Sequence, residues 1–146
     1  MKISIGYSLV EIDKYPPEQQ DVFRKILPAE QYFSLPLMTT CLVNPQNNKG
    51  VFVKAIIDSG AEYCFLNHEV GRLLDIDIKS GEKMIVKGVT GDRPAYFHDL
   101  EFRFDFFPGK VGKIRYKYKV GIFDKGDNGF ATAHLLGRYG FFDKFN

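Results

Sequence analysis

An all-β domain with a few short helices is the fold class this sequence predicts. Three observations carry that expectation. Many short apolar runs lie between Gly and Pro residues, several of those runs alternate strictly, and aromatics are plentiful, with 14 Phe and 8 Tyr. The 146 residues suit one domain, and 45% apolar content is enough for a packed core.

The elements read in order as follows. Ile3, Ile5, Tyr7 and Leu9 alternate as in a strand. Pro16-Pro17 breaks it and suits a first helical turn, after which Val22, Phe23, Ile26 and Leu27 share a helical face until Pro28. Residues 1–35 therefore read as an arm, and 36–146 as the main domain. Leu37 to Val43 predicts a strand, Asn44 to Gly50 a turn, and Val51, Val53, Ala55 and Ile57 a returning strand that ends at Asp58. Asn67 is placed to cap a short helix with Val70, Leu73 and Leu74 on its inner side.

Lys83 to Val89 predicts another strand and Gly88 to Asp92 a tight turn. Tyr96 to Phe107 then sets Leu100, Phe102, Phe104 and Phe106 against Glu101, Arg103 and Asp105, with Pro108-Gly109 as its stop. Ile114, Tyr116, Tyr118 and Val120 alternate with Arg115, Lys117 and Lys119. Asp124 to Gly129 reads as a polar loop, Ala131 to Leu136 leads to Gly137-Arg138, and Tyr139 to Phe145 suits a last helical turn.

Composition narrows the function classes. A net charge of +2 gives no field that demands nucleic acid or an anionic membrane. No apolar run approaches the ~20 residues that span a bilayer, and the charged, polar stretch Met1 to Asp13 is unlike a signal peptide. An intracellular, cytoplasmic protein is the expectation. Cys41 and Cys64 form no CxxC pair, and His68, His98 and His134 stand singly, so no metal site is expected.

One motif carries chemistry. Ile56-Ile57-Asp58-Ser59-Gly60-Ala61 places a carboxylate at the tip of a turn fed by an apolar strand. The Ser59 hydroxyl is available to brace the loop. Gly60, lacking a Cβ, lets a substrate backbone approach. Asp-Ser-Gly is also ordinary turn chemistry, but two apolar residues ahead of it reduce chance occurrence to roughly one chain in a hundred. A second segment, Leu135-Leu136-Gly137-Arg138, follows about 80 residues later.

With both segments in this order, the sequence resembles the retropepsin family of single-domain aspartic proteases, from about Pro36 to Phe145. Asp58-Ser59-Gly60-Ala61 is similar to the family's catalytic segment, and Leu135 to Arg138 to its apolar-apolar-Gly-Arg segment. Gly88-Val89-Thr90-Gly91 stands where the family carries its flap. The resemblance implies a closed acid-protease barrel and an endopeptidase in which Asp58 is the acid/base. It further implies that Ser59 braces the active loops across a homodimer and that Gly60 and Glu62 face an extended peptide. Gly88, Val89, Thr90 and Gly91 would cover that peptide, and Arg138, after Gly137, would pair with Glu62. The family usually has Asp or Ser where Glu62 stands. Its usual interface strand after the last helix is missing or very short before Asn146, so that either the chain is truncated there or the N-terminal strand at Ile3 to Leu9 replaces it.

Other readings stay open on the residues alone. The same fold could serve as a silent peptide-binding or dimerisation module. Lys110 to Lys119, five basic residues interleaved with Tyr116 and Tyr118, could form a nucleic-acid strip, although alternation alone predicts a half-exposed strand with a charged face. Asp124 to Gly129 lacks the alternation of a calcium loop and reads as a turn. Cys64, with no base in view, reads as core.

Overall fold

The computed structural model describes residues 6–11, 17, 20–21, 32–88, 91–104, 114–124 and 133–145. These fall in two compact units, one within Lys2–Leu37 and the other within Met38–Asn146.

In the smaller unit, β1 (Gly6–Glu11) lies antiparallel to the first half of β2 (Tyr32–Val43), from Gly6 opposite Leu37 to Glu11 opposite Tyr32. The strand expected from Leu37 thus starts five residues earlier. It runs through Pro36, whose fixed φ is tolerated in extended chain even though its missing N–H weakens the ladder. Pro17, Gln20 and Asp21 are helical. The expected apolar face of Val22, Phe23, Ile26 and Leu27 lies outside the described residues, as do Ile3 and Ile5.

The larger unit is a barrel. Its strands are the second half of β2, β3 (Gly50–Ile57), β4 (Phe65–Leu66), β6 (Gly91–Arg103), β7 (Arg115–Phe123) and β8 (His134–Leu136). Hydrogen-bonded neighbours run β2-β3-β8-β4-β7-β6, and the end of β6 returns to β2 through Cys41, Leu42 and Val43 opposite Arg103, Phe102 and Glu101. Six strands therefore close a ring, and closure leaves no sheet edge within it. β8 is parallel to β3 and antiparallel to β4, so Ile57 and Leu136 lie side by side.

Alternation explains the core. Val53, Ala55 and Ile57 of β3 point inward, as do Leu100 and Phe102 of β6 and Val120 of β7. Each fully buried Leu, Val, Ile or Phe stabilises the barrel by roughly 1.5–3 kcal/mol. Phe104 lies just past the end of β6. It stacks with Phe102 and packs against Phe141 and Phe145. Phe106, Asp105, Pro108 and Gly109 lie outside the described residues, as do Ala131 and residues 125–129 of the expected loop.

α1 (His68–Leu73) begins as expected: the Asn67 side chain accepts from the Val70 N–H. Its inner side is Val70, Gly71 and Leu74, whereas Leu73 is 50% exposed. At about 100° per residue, Leu73 falls outside the arc that those three define. The last expected helical turn is a single 3-10 turn, Phe142–Lys144.

β5 (Glu82–Gly88) pairs with β6 over seven residue pairs, ending at Gly88 opposite Gly91. β6 begins at Gly91, five residues before the expected Tyr96. Only Ala95 to Arg103 of β6 also pair with β7. Residues Ile85 to Gly88 and Gly91 to Pro94 therefore extend past the barrel as a two-stranded projection.

Candidate active site

Asp58 is the first residue after β3. Its N–H donates to Leu136 O (3.0 Å), which carries the β3–β8 pairing one step further. Its carbonyl accepts from the Ala61 N–H (3.2 Å), closing a four-residue turn with Ser59 and Gly60 at its centre. The carboxylate Oδ1 accepts from the Gly60 N–H at 2.8 Å. This bond orients the side chain and leaves the other oxygen for chemistry.

A second segment locks the turn from behind. Arg138 N–H donates to Ala61 O (2.9 Å) and Tyr139 N–H to Glu62 O (2.8 Å). Such close approach requires Gly137: a Cβ there would lie 2.2 Å from the Tyr63 carbonyl oxygen. The expected ion pair between Glu62 and Arg138 is not formed. Both side chains are exposed, and main-chain bonds couple the two segments instead.

Cys64 completes the lock. Its sulfur accepts from the Gly137 N–H (3.4 Å) and its thiol contacts Tyr139 O (3.6 Å). Burial pushes the thiol up to about 12, against the weaker lowering effect of the Gly137 bond. It is therefore a neutral core thiol at ordinary pH and a poor nucleophile.

Beside the turn lies a cleft of about 940 Å³ in the barrel unit. Asp58, Gly60, Ala61 and Glu62 line it from the turn, and Arg138 from the segment behind. Gly88 and Gly91 line it from the β5–β6 hairpin. Seven residues singled out by sequence are thus brought to one cavity, although up to 80 residues separate them in the chain. Ser59 is exposed and is not among the lining residues, and Gly137 is buried behind them. Val89 and Thr90 lie outside the described residues.

Other lining residues were not anticipated. Met84, Ile85, Lys87 and Arg93 enter from the hairpin, and Phe123 and Leu135 from β7 and β8. A signal was present: three successive apolar residues, Met84-Ile85-Val86, in a strand exposed on both faces. Tyr63 and Phe65 add a rigid aromatic wall, with Tyr63 edge-on to Phe97 at 5.2 Å and Phe65 stacked on Phe123 at 5.3 Å.

His134, on β8, accepts the Asn67 N–H through Nδ1 at 3.4 Å, which places its proton on Nε2. Burial pushes its pKa below the ordinary value of 6.5. With the folded value below the unfolded one, the unfolded chain takes up the proton first. This site therefore takes nothing from stability above the unfolded value, and it destabilises the fold increasingly as pH falls below it. The melting temperature should drop between about pH 7 and 5.5, and drop less in His134→Asn, whose side-chain oxygen can still accept. Equal slopes in the two proteins would rule this out.

The basic face of β7 behaves as its alternation predicts. Arg115, Lys117 and Lys119 are exposed while Val120 is buried. Lys119 pairs with Glu82 at 3.1 Å. Residues 110–113 lie outside the described residues. Among the described residues no helix is long and apolar enough to cross a membrane.

Fold and site together define a closed β-barrel with a carboxylate turn beside an apolar-lined cleft. Solved structures similar to this chain include two proteases. One is the EIAV protease complexed with the inhibitor HBY-793, at 17% identity and a TM-score of 0.38, over 71% of this chain and 82% of that one. The other is a retropepsin-like aspartic protease from Rickettsia conorii, at 16% identity and a TM-score of 0.43, over 92% of this chain and 75% of that one. No family model and no curated protein sequence matches.

Proposed function

We propose that this chain is an aspartic endopeptidase that works as a homodimer, with one Asp58 from each copy. The observation that carries this reading is the Asp58 carboxylate itself. It is held by the Gly60 N–H at the end of a barrel strand and opens on a cleft bounded by a two-stranded projection.

One carboxylate is a poor catalyst of amide hydrolysis. Two of them about 3 Å apart cannot both ionise, so the pair holds one proton near neutral pH. The ionised member removes a proton from water, and the protonated one donates to the scissile carbonyl. The pair titrates as a unit. Gly60, without a side chain, leaves room for a peptide backbone, and Met84 and Ile85 offer apolar surface to its side chains. No metal or organic cofactor takes part in this scheme. A reducing, cytoplasmic setting is part of this proposal.

The dimer is the testable core of the reading. Cleavage of an extended peptide should be blocked by a pepstatin-type inhibitor. The rate per chain should fall on dilution, in step with the loss of dimer measured by sedimentation. Full activity from a chain that remains monomeric would overturn it.

A further inference from the structure

A second cavity, of about 420 Å³, adjoins the cleft: Tyr63 and Met84 line both. Tyr63, Phe97 and Tyr118 give it aromatic walls, and its charges are Glu82, Asp99 and Lys119. Lys119 donates to Glu82 at 3.1 Å. Asp99, its partner across the ladder, has no hydrogen bond or ion pair among the described residues. One ammonium thus faces two carboxylates, and among the described residues no other charge lines the cavity. Lys144 lies over the Tyr118 ring at 4.7 Å, but Asp143 pairs with it at 3.6 Å, so these two charges offset each other.

We infer that this second cavity is a subsite for a basic side chain of a bound peptide, arginine above lysine, and that Asp99 sets the preference. Cleavage as a readout rests on the peptidase reading; binding does not. An extended peptide that leaves the cleft past Tyr63 and Met84 reaches the cavity. There the methylene stem of a basic residue lies against Met84 and the rings, while its charged head reaches the carboxylates. A planar guanidinium can stack on a ring and fork to a carboxylate, which a compact ammonium does less well. An uncharged side chain of the same shape gains only the apolar half. Lys119 works against the effect and, with Asp99 exposed, keeps it moderate.

A peptide series decides the matter. Each member has the same central pair of bulky apolar residues and carries, at one flanking position in turn, either arginine or citrulline, which keeps the shape without the charge. Their kcat/KM is measured with the intact chain and their Kd with both the intact chain and Asp58→Asn. Arginine should be favoured by about fivefold at a fixed position on one or both sides of the bond cut, the worth of one exposed ion pair with a ring contact. The preference should shrink at high salt and vanish in Asp99→Asn. It should grow by about fivefold in Lys119→Gln, a gain that misfolding cannot imitate. Equal cleavage of the arginine and citrulline peptides at every position, or a preference untouched by Asp99→Asn, overturns the inference and leaves the peptidase reading standing. If no peptide is cut but both the intact chain and Asp58→Asn bind the arginine peptide more tightly, the peptidase reading falls and the subsite holds. If no peptide binds, the subsite falls too.

Discussion

Replacing Asp58 with Asn should reduce peptide cleavage by at least about a thousandfold in kcat, the scale of a lost acid–base group, and leave the fold intact. The two halves of this expectation have separate causes. The amide cannot remove a proton from water, and in a dimer both members of the pair are lost together. The Asn side-chain oxygen, however, can accept the Gly60 N–H as the Asp58 Oδ1 does now at 2.8 Å. The turn closed by the Ala61 N–H and the strand-like bond from the Asp58 N–H to Leu136 O do not involve the side chain at all. The melting temperature should therefore stay within a few degrees of the parent's, as for most substitutions that break no buried contact. Asp58→Ala makes the contrast, since it loses the turn bond as well as the chemistry. Cleavage at the parental rate by Asp58→Asn would end the aspartic protease reading, whereas loss of folding would place Asp58 among structural turn residues.

Gly137→Ala should be the most damaging single methyl group in the barrel unit. Its Cβ would lie 2.2 Å from the Tyr63 carbonyl oxygen and 2.8 Å from that of Ala61, so the obstruction is main chain and cannot rotate away. The segments must separate. That weakens the bonds from Arg138 N–H to Ala61 O and from Tyr139 N–H to Glu62 O, and removes the Gly137 N–H from the Cys64 sulfur. A cost of about 3 kcal/mol is expected, or a melting temperature lower by roughly 10 °C. Because the same bonds hold the Asp58 turn, a shift of ~1 Å there should lower any residual cleavage by about a hundredfold. A variant with unchanged melting temperature would show that the two segments can part without loss, and that the turn is held by β3 alone.

How far the site could be read from sequence differs residue by residue. The turn that holds Asp58 and Gly60 was legible because it is local: a carboxylate and a missing Cβ just after an apolar strand. Gly137 was reached only through the family resemblance, since its close approach to the Tyr63 carbonyl is a tertiary contact. The helix after Asn67 was legible for the same reason, since a cap is a short-range bond. Leu73 was not. Which arc of a six-residue helix faces inward is decided by what packs against it, and its inner side proved to be Val70, Gly71 and Leu74. The pairing of Arg138 with Glu62 was equally out of reach of sequence: adjacent main chains hold the segments together, and the two side chains are left exposed beside the cleft.

By itself, then, the sequence determined the β class, the alternating inward faces of β3, β6 and β7, and the carboxylate turn with its glycine. All of these follow from spacing along the chain and from the chemistry of single residues. Only the tertiary structure decided that β6 closes on β2, and that Met84, Ile85, Lys87 and Arg138 line the cleft beside the Asp58 turn. Those are meetings between residues far apart in the chain. They are set by strand register and barrel closure, which no local pattern encodes.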